Sequence, residues 1–197
     1  HKKTGLVTFH GPVAVSTWNS FSTKYFKNLF FEREAVGYSN PSEKGDELTQ
    51  TRNRIRTISP GTASGRLLGG NLSVLTGIMG TPYFPKDWKG KILYLEEIGE
   101  KIYAVDRMMT QLQLAGVLEK ISGFVFGKCS DCEPGGSGYG SLTMEEVMDH
   151  YIKPLGIPAF SGAMIGHIAD NATIPNGIMA EMNAEAGTIQ LLNPAVK

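Results

Sequence analysis

The sequence is poor in several features that mark particular classes of protein. Its 197 residues include only two cysteines, which are too few for a disulfide-based scaffold. Neither charge is in excess, because 19 Lys and Arg residues balance 19 Asp and Glu residues. It contains no apolar run of about 18 residues, the length that a membrane-spanning helix needs. We therefore predict a cytoplasmic protein with no nucleic-acid partner and no membrane partner.

What the sequence does contain is a regular alternation of strand-like and helix-like segments. Short apolar runs at 92–95 and 123–127 indicate buried strands. Apolar residues repeat at three and four positions over 104–120, which indicates a helix between them. A capping-box pattern at Thr143 and Glu146 starts another helix, which should end before Pro154. This alternation predicts an α/β fold.

The remaining segments were assigned from composition and spacing. They are a strand at 5–9, an aromatic-rich helix at 16–34, a polar linker at 37–53, short Gly-rich strands without a helix at 55–75, a loop at 135–140, a short apolar segment at 159–168 and a hairpin of 178–182 with 188–192. Together they add β structure on both sides of the α/β unit.

Three local motifs have both a functional and a structural interpretation. Cys129 and Cys132 form a CxxC pattern that could be a redox pair or half a zinc site, but we favour two separate thiols because no second ligand pair is present. The glycines of 61–70 do not match a phosphate-binding loop, so we assign them to tight turns. Asn171 begins a formal glycosylation sequon, which we do not interpret as modified because nothing else indicates secretion.

An acid and a histidine stand out as candidate catalytic groups. Glu96 follows an apolar strand, where a carboxylate is expected to reach solvent or a cleft. His167 is placed near the end of another short strand, and Gly166 before it permits close approach of other groups. A histidine oriented by a glutamate is the base half of a nucleophilic triad, although from spacing alone a solvated loop histidine is the more common interpretation. Ser39 is a poor nucleophile candidate, because Pro41 prevents the helix that a nucleophile elbow requires.

Several longer motifs occur in one order along the chain. They are Gly65 to Leu72, Gly80 to Tyr83, Leu93 to Glu100 with Tyr103, Asp106 and Arg107, and Gly166-His167 with Asn171, Thr173, Pro175 and Gly177. With these motifs in this order, the sequence closely resembles those of the LD-carboxypeptidase family of serine peptidases. This family includes the microcin C self-immunity peptidases.

The resemblance implies an architecture. Residues 53–197 would be the C-terminal swivelling β/α domain of the LD-carboxypeptidase type, and residues 1–52 the tail of an N-terminal α/β domain plus a linker. The family's nucleophilic serine lies in a Gly-aromatic-Ser-Asp motif that would fall before residue 1, so we expect it outside this chain. Without that domain, the aromatic face of residues 1–36 is expected to be exposed or to bind a partner.

The resemblance also implies an activity and its residues. Glu96 and His167 would be the acid and base of a Ser-His-Glu triad, with Asn71, Asn171 and Tyr94 as substrate-binding or supporting residues. Packing remains an equal interpretation for Tyr94. The reaction would cleave the amide before a C-terminal D-amino acid, such as D-Ala of a murein tetrapeptide, without a metal or cofactor. Expected partners are a peptide or muropeptide substrate, the missing N-terminal domain and a second copy in a homodimer.

Two alternatives remain beside this interpretation. The chain could be an inactive binding or structural remnant of the family, because a triad without its nucleophile forms no acyl-enzyme. It could also belong to a peptidase that confers self-immunity to a microcin-type peptide.

Overall fold

The computed structural model describes residues 3–42, 52–134 and 141–197 and has a mixed α/β fold. The described strands are β1 (Thr8–His10), β2 (Gly37–Tyr38), β3 (Arg56–Ser59), β4 (Thr62–Asn71), β5 (Ile92–Ile98), β6 (Gly123–Ser130), β7 (Ala159–Ser161), β8 (Ile174–Asn176), β9 (Met179–Asn183) and β10 (Thr188–Leu191). The described α-helices are α1 (Ser20–Phe30), α2 (Leu72–Gly77), α3 (Ile102–Leu114) and α4 (Met144–Ile152). Two short 3₁₀ turns follow α3 and α4, at Leu118–Lys120 and Lys153–Leu155. None of the described helices is long and apolar enough to cross a membrane.

One eight-stranded sheet organises the molecule, in the order β2-β10-β9-β4-β5-β6-β7-β3. Its four central strands, β4 to β7, are parallel, and the outer pairings are antiparallel. Helices α2, α3 and α4 make the crossovers that successive parallel strands require. The carboxyl ends of β4 to β7 therefore meet at one edge of the sheet, where α/β proteins commonly bind ligands. The α/β architecture predicted from the sequence is confirmed.

The sheet is buried on both faces, and strand β5 shows this directly. Leu93 and Leu95 belong to the core that packs against α2, α3 and α4. Ile92 and Tyr94 belong to a second core on the opposite face, which includes residues of α1. Because side chains alternate along a strand, the next two residues of β5 also point to opposite faces.

Helix α1 covers part of the second core. Asn19 caps it by accepting a hydrogen bond from the Ser22 N–H, so the helix is shorter than the predicted 16–34. Tyr25 and Leu29 are buried against the sheet. The expectation that this aromatic face is exposed or binds a partner is therefore wrong for Tyr25, although Phe31 remains 68% exposed.

Two segments differ from the sequence-based assignment. Residues Leu72–Gly77 form helix α2, in a region predicted to lack a helix, because Asn71 ends β4 and also caps the helix that follows. Residues Gly37–Tyr38 form strand β2 on β10, inside the segment predicted to be a linker. The rest of that linker, from 43 to 51, and the predicted loop at 135–140 lie outside the described residues.

Other elements appear where the sequence placed them. Strands β5 and β6 and the β9–β10 hairpin are confirmed, as is the capping box that starts α4. The helix predicted over 104–120 is α3, which ends at Leu114 and is followed by a 3₁₀ turn. Strand β1 begins three residues later than the predicted start and pairs with β8.

Candidate active site

Glu96 lies within strand β5 and is completely buried. The sequence placed it at the end of the strand, within reach of solvent or a cleft. That expectation is wrong, because β5 continues to Ile98 and the Glu96 side chain is 0% exposed. The β5–β6 register shifts beside Glu96, between the Leu95–Phe126 and Glu97–Cys129 pairs. A buried carboxylate needs hydrogen-bonding or charged partners. The groups that contact Glu96 therefore define the site.

His167 is one of these partners. Strand β7 ends at Ser161, so His167 lies in the loop that follows the strand and not near the strand's end. Its Nδ1 is 2.9 Å from Glu96 Oε2, and its side chain is 50% exposed. With Nδ1–H donating to an ionised carboxylate, the Nε2 atom keeps a lone pair that can accept a proton.

The loop that carries His167 is held by two hydrogen bonds and lies close to the Glu96 carboxylate at Gly166. The N–H of Gly166 donates to Asn171 Oδ1 over 3.2 Å, and Ser130 Oγ donates to the carbonyl oxygen of His167 over 2.9 Å. Gly166 has a φ of +138°, and a Cβ atom there would lie only 3.0 Å from Glu96 Oε2. The group that lies close to this glycine is therefore the Glu96 carboxylate. Asn171 contributes by fixing the backbone that precedes the imidazole.

A second histidine contacts the same carboxylate, and the sequence analysis missed it. His10 Nε2 lies 3.4 Å from Glu96 Oε1. His10 ends strand β1, where the sequence indicated only a turn at His10-Gly11-Pro12. The only feature of the sequence that could have identified His10 is a histidine at the end of a predicted strand. Its contact with Glu96 depends on the pairing of β1 with β8, which lies far along the chain.

These contacts set the ionisation of Glu96. Burial alone raises the pKa of a carboxyl group, since it penalises the charged form. In Glu96 the contacts with His10 and His167 outweigh burial, so that the pKa of Glu96 is lowered. Glu96 is thus held as an anion that can stabilise a positively charged imidazole.

Asn71 and Glu97 form a separate network on the other face of β5. Asn71 Oδ1 accepts from the N–H of Val74 over 3.0 Å, and its Nδ2 donates to Glu97 Oε1 over 2.8 Å. The N–H groups of Ser73 and Ile98 also donate to the Glu97 carboxylate. The side chain of Asn71 is therefore engaged in capping α2 and in holding Glu97.

Tyr94 is fully buried in the core below the site. Its hydroxyl donates to Asn176 Oδ1 over 3.1 Å. Burial raises the pKa of Tyr94, and the neighbouring Glu96 charge adds to this effect. Its ring centroid lies 6.1 Å from that of His10.

Two open grooves flank the histidines. One of about 570 Å³ is lined by β1, the segment after it and the His167 loop, and the other, of about 630 Å³, lies beside Asn71 and α2. His10 and His167 border both grooves, whereas Asn171 borders the first and Asn71 the second. The exposed part of His167 is therefore open to both grooves.

Ser39 does not join this cluster. Its backbone N–H and carbonyl both pair with the hydroxyl of Tyr25, at 3.3 Å and 3.2 Å. It lines a small pocket with Tyr38 and Met164, apart from both histidine-lined grooves. This placement agrees with the sequence analysis, in which Ser39 is a poor candidate for the nucleophile.

Cys129 and Cys132 are joined by a disulfide at the carboxyl end of β6. The preferred sequence interpretation, two separate thiols, is therefore wrong. A bonded pair offers no thiolate to a metal, which also removes support for the zinc alternative. Ser130, which holds the His167 carbonyl, lies between the two cysteines.

The described residues thus form an α/β domain in which a buried glutamate contacts a half-exposed histidine. The LD-carboxypeptidase C-terminal domain model matches residues 64–182, and the chain belongs to this family. Named members of the family are carboxypeptidases, which are hydrolases. A probable murein peptide carboxypeptidase of Bacillus subtilis is 36% identical over 193 residues, which are 95% of this chain and 56% of the relative.

Two solved structures are also similar. The microcin C7 self-immunity protein MccF, in complex with aspartyl sulfamoyl adenosine, has a TM-score of 0.80 and 26% identity over 99% of this chain and 63% of its own. The muramoyltetrapeptide carboxypeptidase of Oxalobacter formigenes has a TM-score of 0.75 and 29% identity over 96% of this chain and 62% of its own. The chain thus spans about three fifths of the length of these relatives.

Proposed function

We propose that this chain supplies the acid and the base of a serine-type LD-carboxypeptidase. The observation that carries the proposal is the buried Glu96 carboxylate, which holds Nδ1 of the half-exposed His167 at 2.9 Å. The nucleophilic serine of the Ser-His-Glu triad would come from a segment outside residues 1–197. This chain spans only part of each relative, and the remaining length of the relative is enough to include such a segment.

The proposed reaction proceeds through an acyl-enzyme. The serine oxygen attacks the carbonyl carbon of the scissile amide, and His167 Nε2 takes the serine proton. Glu96 stabilises the resulting imidazolium, which then protonates the leaving amine as the C–N bond breaks. Water attacks the acyl-enzyme with His167 again as base, and proton return to the serine oxygen restores the enzyme.

The proposed substrate is a peptide that ends in a D-amino acid, such as the D-Ala of a murein tetrapeptide. The names of the Bacillus subtilis and Oxalobacter formigenes relatives support this choice. A microcin-type peptide conjugate is the second candidate, favoured by the match to MccF over 99% of this chain. Competition between a D-Ala-terminated tetrapeptide and an aminoacyl sulfamoyl adenosine would rank the two.

The other predicted site residues are proposed to act indirectly. Asn171 positions the His167 loop through Gly166, and Asn71 shapes the second groove through the α2 cap. Tyr94 supports the floor of the site by packing. The homodimer and the cytoplasmic location stay predictions, as does the boundary between residues 1–52 and 53–197.

The test is a single substitution in the longer protein that includes the segment before residue 1. His167→Ala should lower the rate of D-Ala release by several orders of magnitude, because the triad loses its base. His150→Ala removes an exposed histidine on α4 and serves as the matched control, with a rate close to that of the parent. Release near the parental rate in His167→Ala would contradict the proposal. An unaltered parent with no hydrolysis of either substrate would favour the inactive remnant.

A further inference from the structure

We propose that His10 is a positioning residue for the Glu96–His167 pair. It holds Glu96 Oε1, so that Oε2 stays directed at His167 Nδ1. This inference rests on the proposed function, since it assigns a role in presenting the base. It concerns a residue outside the 64–182 range that the family model covers.

The argument begins with the two oxygens of one buried carboxylate. Glu96 Oε2 is bonded to His167 Nδ1 at 2.9 Å. Among the described residues, Glu96 Oε1 has no hydrogen-bond partner, and it faces His10 Nε2 across 3.4 Å. A buried carboxylate oxygen without a donor is costly, so a proton on His10 Nε2 is the group that can satisfy it.

The second contact also restricts rotation of the carboxylate. The terminal torsion of a glutamate is broad and has roughly twofold symmetry, so one hydrogen bond fixes the plane poorly. His10 and His167 lie against opposite oxygens of Glu96 and together define that plane. A fixed plane keeps the acceptor lone pair of Oε2 aligned with the Nδ1–H of His167, which holds the imidazole in one tautomer.

The backbone around His10 is built for this placement. His10 pairs with Ile174 in the antiparallel β1–β8 register. The next residue is Gly11, where a Cβ atom would lie 2.9 Å from the Thr173 Cα atom, so a larger residue would push β1 away. On the other side, a Cβ at Gly70 would lie 3.5 Å from His10 Nδ1. The ring thus sits between β8 and the end of β4, with a side chain only 24% exposed.

The charged and titratable groups around His10 come from one strand and one loop. Strand β5 contributes Tyr94 and Glu96, and the loop after β7 contributes His167. Glu97 borders the same groove as His10, but its carboxylate is bonded to donors on the other face of β5. Glu96 is therefore the carboxylate that an Nε2–H of His10 meets.

The role can be tested on the 197-residue chain without the nucleophile. Nuclear magnetic resonance of the Glu96 side-chain carboxyl carbon measures its titration, and imidazole nitrogen shifts show which nitrogen carries the proton. In the unaltered chain we expect the proton on Nε2 of His10 and on Nδ1 of His167 while Glu96 is ionised. A His10 protonated on Nδ1 alone would overturn the proposal, and this measurement requires no variant.

Two substitutions at His10 distinguish a role as a hydrogen-bond donor from a role in packing. His10→Phe keeps a ring of similar shape without the N–H, and the pKa of Glu96 should rise because burial persists while one stabilising contact is lost. The Nδ1–H signal of His167 should broaden by faster exchange. His10→Gln loses the ring but places an N–H near the Nε2 position, and it should restore both signals toward those of the unaltered chain.

The opposite pair of results for these two variants would overturn the proposal. If His10→Phe leaves the Glu96 titration unchanged and His10→Gln alters it, His10 acts by packing. The result is independent of catalysis. Hydrolysis that survives His167→Ala would refute the proposed function, while the Glu96 titration would still report whether His10 holds the carboxylate.

Discussion

Glu96 and Glu97 are neighbours on strand β5, and both are almost completely buried, at 0% and 1% exposure. They point to opposite faces of the sheet and meet different kinds of partner. Glu97 accepts hydrogen bonds from Asn71 Nδ2 and from the backbone N–H groups of Ser73 and Ile98, at 2.7–2.9 Å. Glu96 meets two imidazoles, His10 and His167.

The two buried carboxylates differ in the chemistry of their partners. The donors of Glu97 are amide groups, which do not ionise at ordinary pH, so the carboxylate keeps the same donors and joins β5 to the start of α2. The partners of Glu96 are imidazoles, whose ring nitrogens can each donate or accept a hydrogen bond. Under the proposed function, the same residue type, one position apart, stabilises a helix start on one face and the proposed proton acceptor on the other.

The largest expected contrast is in activity. Glu96→Gln in the longer protein should lower the rate of D-Ala release by several orders of magnitude, because the imidazolium loses its counter-charge. Glu97→Gln should lower the rate less than about tenfold at temperatures where the protein is folded, because the Glu97 carboxylate is bonded to amide N–H donors and not to an imidazole. Rate measurements on both variants at one pH make the comparison. Equal losses would show that the two glutamates are not functionally distinct.

The next contrast is in the free energy of unfolding. Gly166→Ala should lower it by about 2–3 kcal/mol, since alanine is strained at a φ of +138° and its Cβ would meet Glu96 Oε2. Gly156→Ala is the matched control, because Gly156 also has a positive φ, +64°, but no atom lies within 4 Å of the added Cβ. That control should cost about 1 kcal/mol. Urea unfolding of both variants measures the difference, and equal costs would mean that Glu96 does not crowd Gly166.

The smallest contrast concerns the donors of Glu97. Asn71→Ala removes the cap of α2 and one donor to a buried carboxylate, so it should lower the free energy of unfolding by about 2 kcal/mol. Asn19→Ala removes the cap of α1 and a donor to the less buried Asp170, and should cost about 1 kcal/mol. Thermal unfolding of the two variants gives the comparison. A larger cost at Asn19 would contradict the structural role given to Glu97.

Local patterns predicted the central part of the fold well. The apolar run of β5, the threefold and fourfold spacing in α3 and the capping box at Thr143 each report on a few adjacent residues. Helix α2 was missed because its cap, Asn71, directly follows two glycines that indicated a turn. Short-range signals of this kind cannot show that one residue both ends a strand and begins a helix.

The site was only partly predictable, for a different reason. Glu96 and His167 were identified through motifs, and the structure places them in contact. His10 was missed because its contact with Glu96 depends on β1 pairing with β8, more than 160 residues away. The burial of Glu96 was also missed, since it results from elements that pack on β5 from both sides and not from the strand's own sequence.

The pairing of β1 with β8 has a consequence for motion. Within the described residues, this ribbon consists of three residue pairs and lies outside the eight-stranded sheet. A ribbon this short can open by local unfolding at a lower free energy than the sheet beside it. Each opening would withdraw His10 and admit water to Glu96, so a ribbon of only three residue pairs would control how dry this buried acid remains.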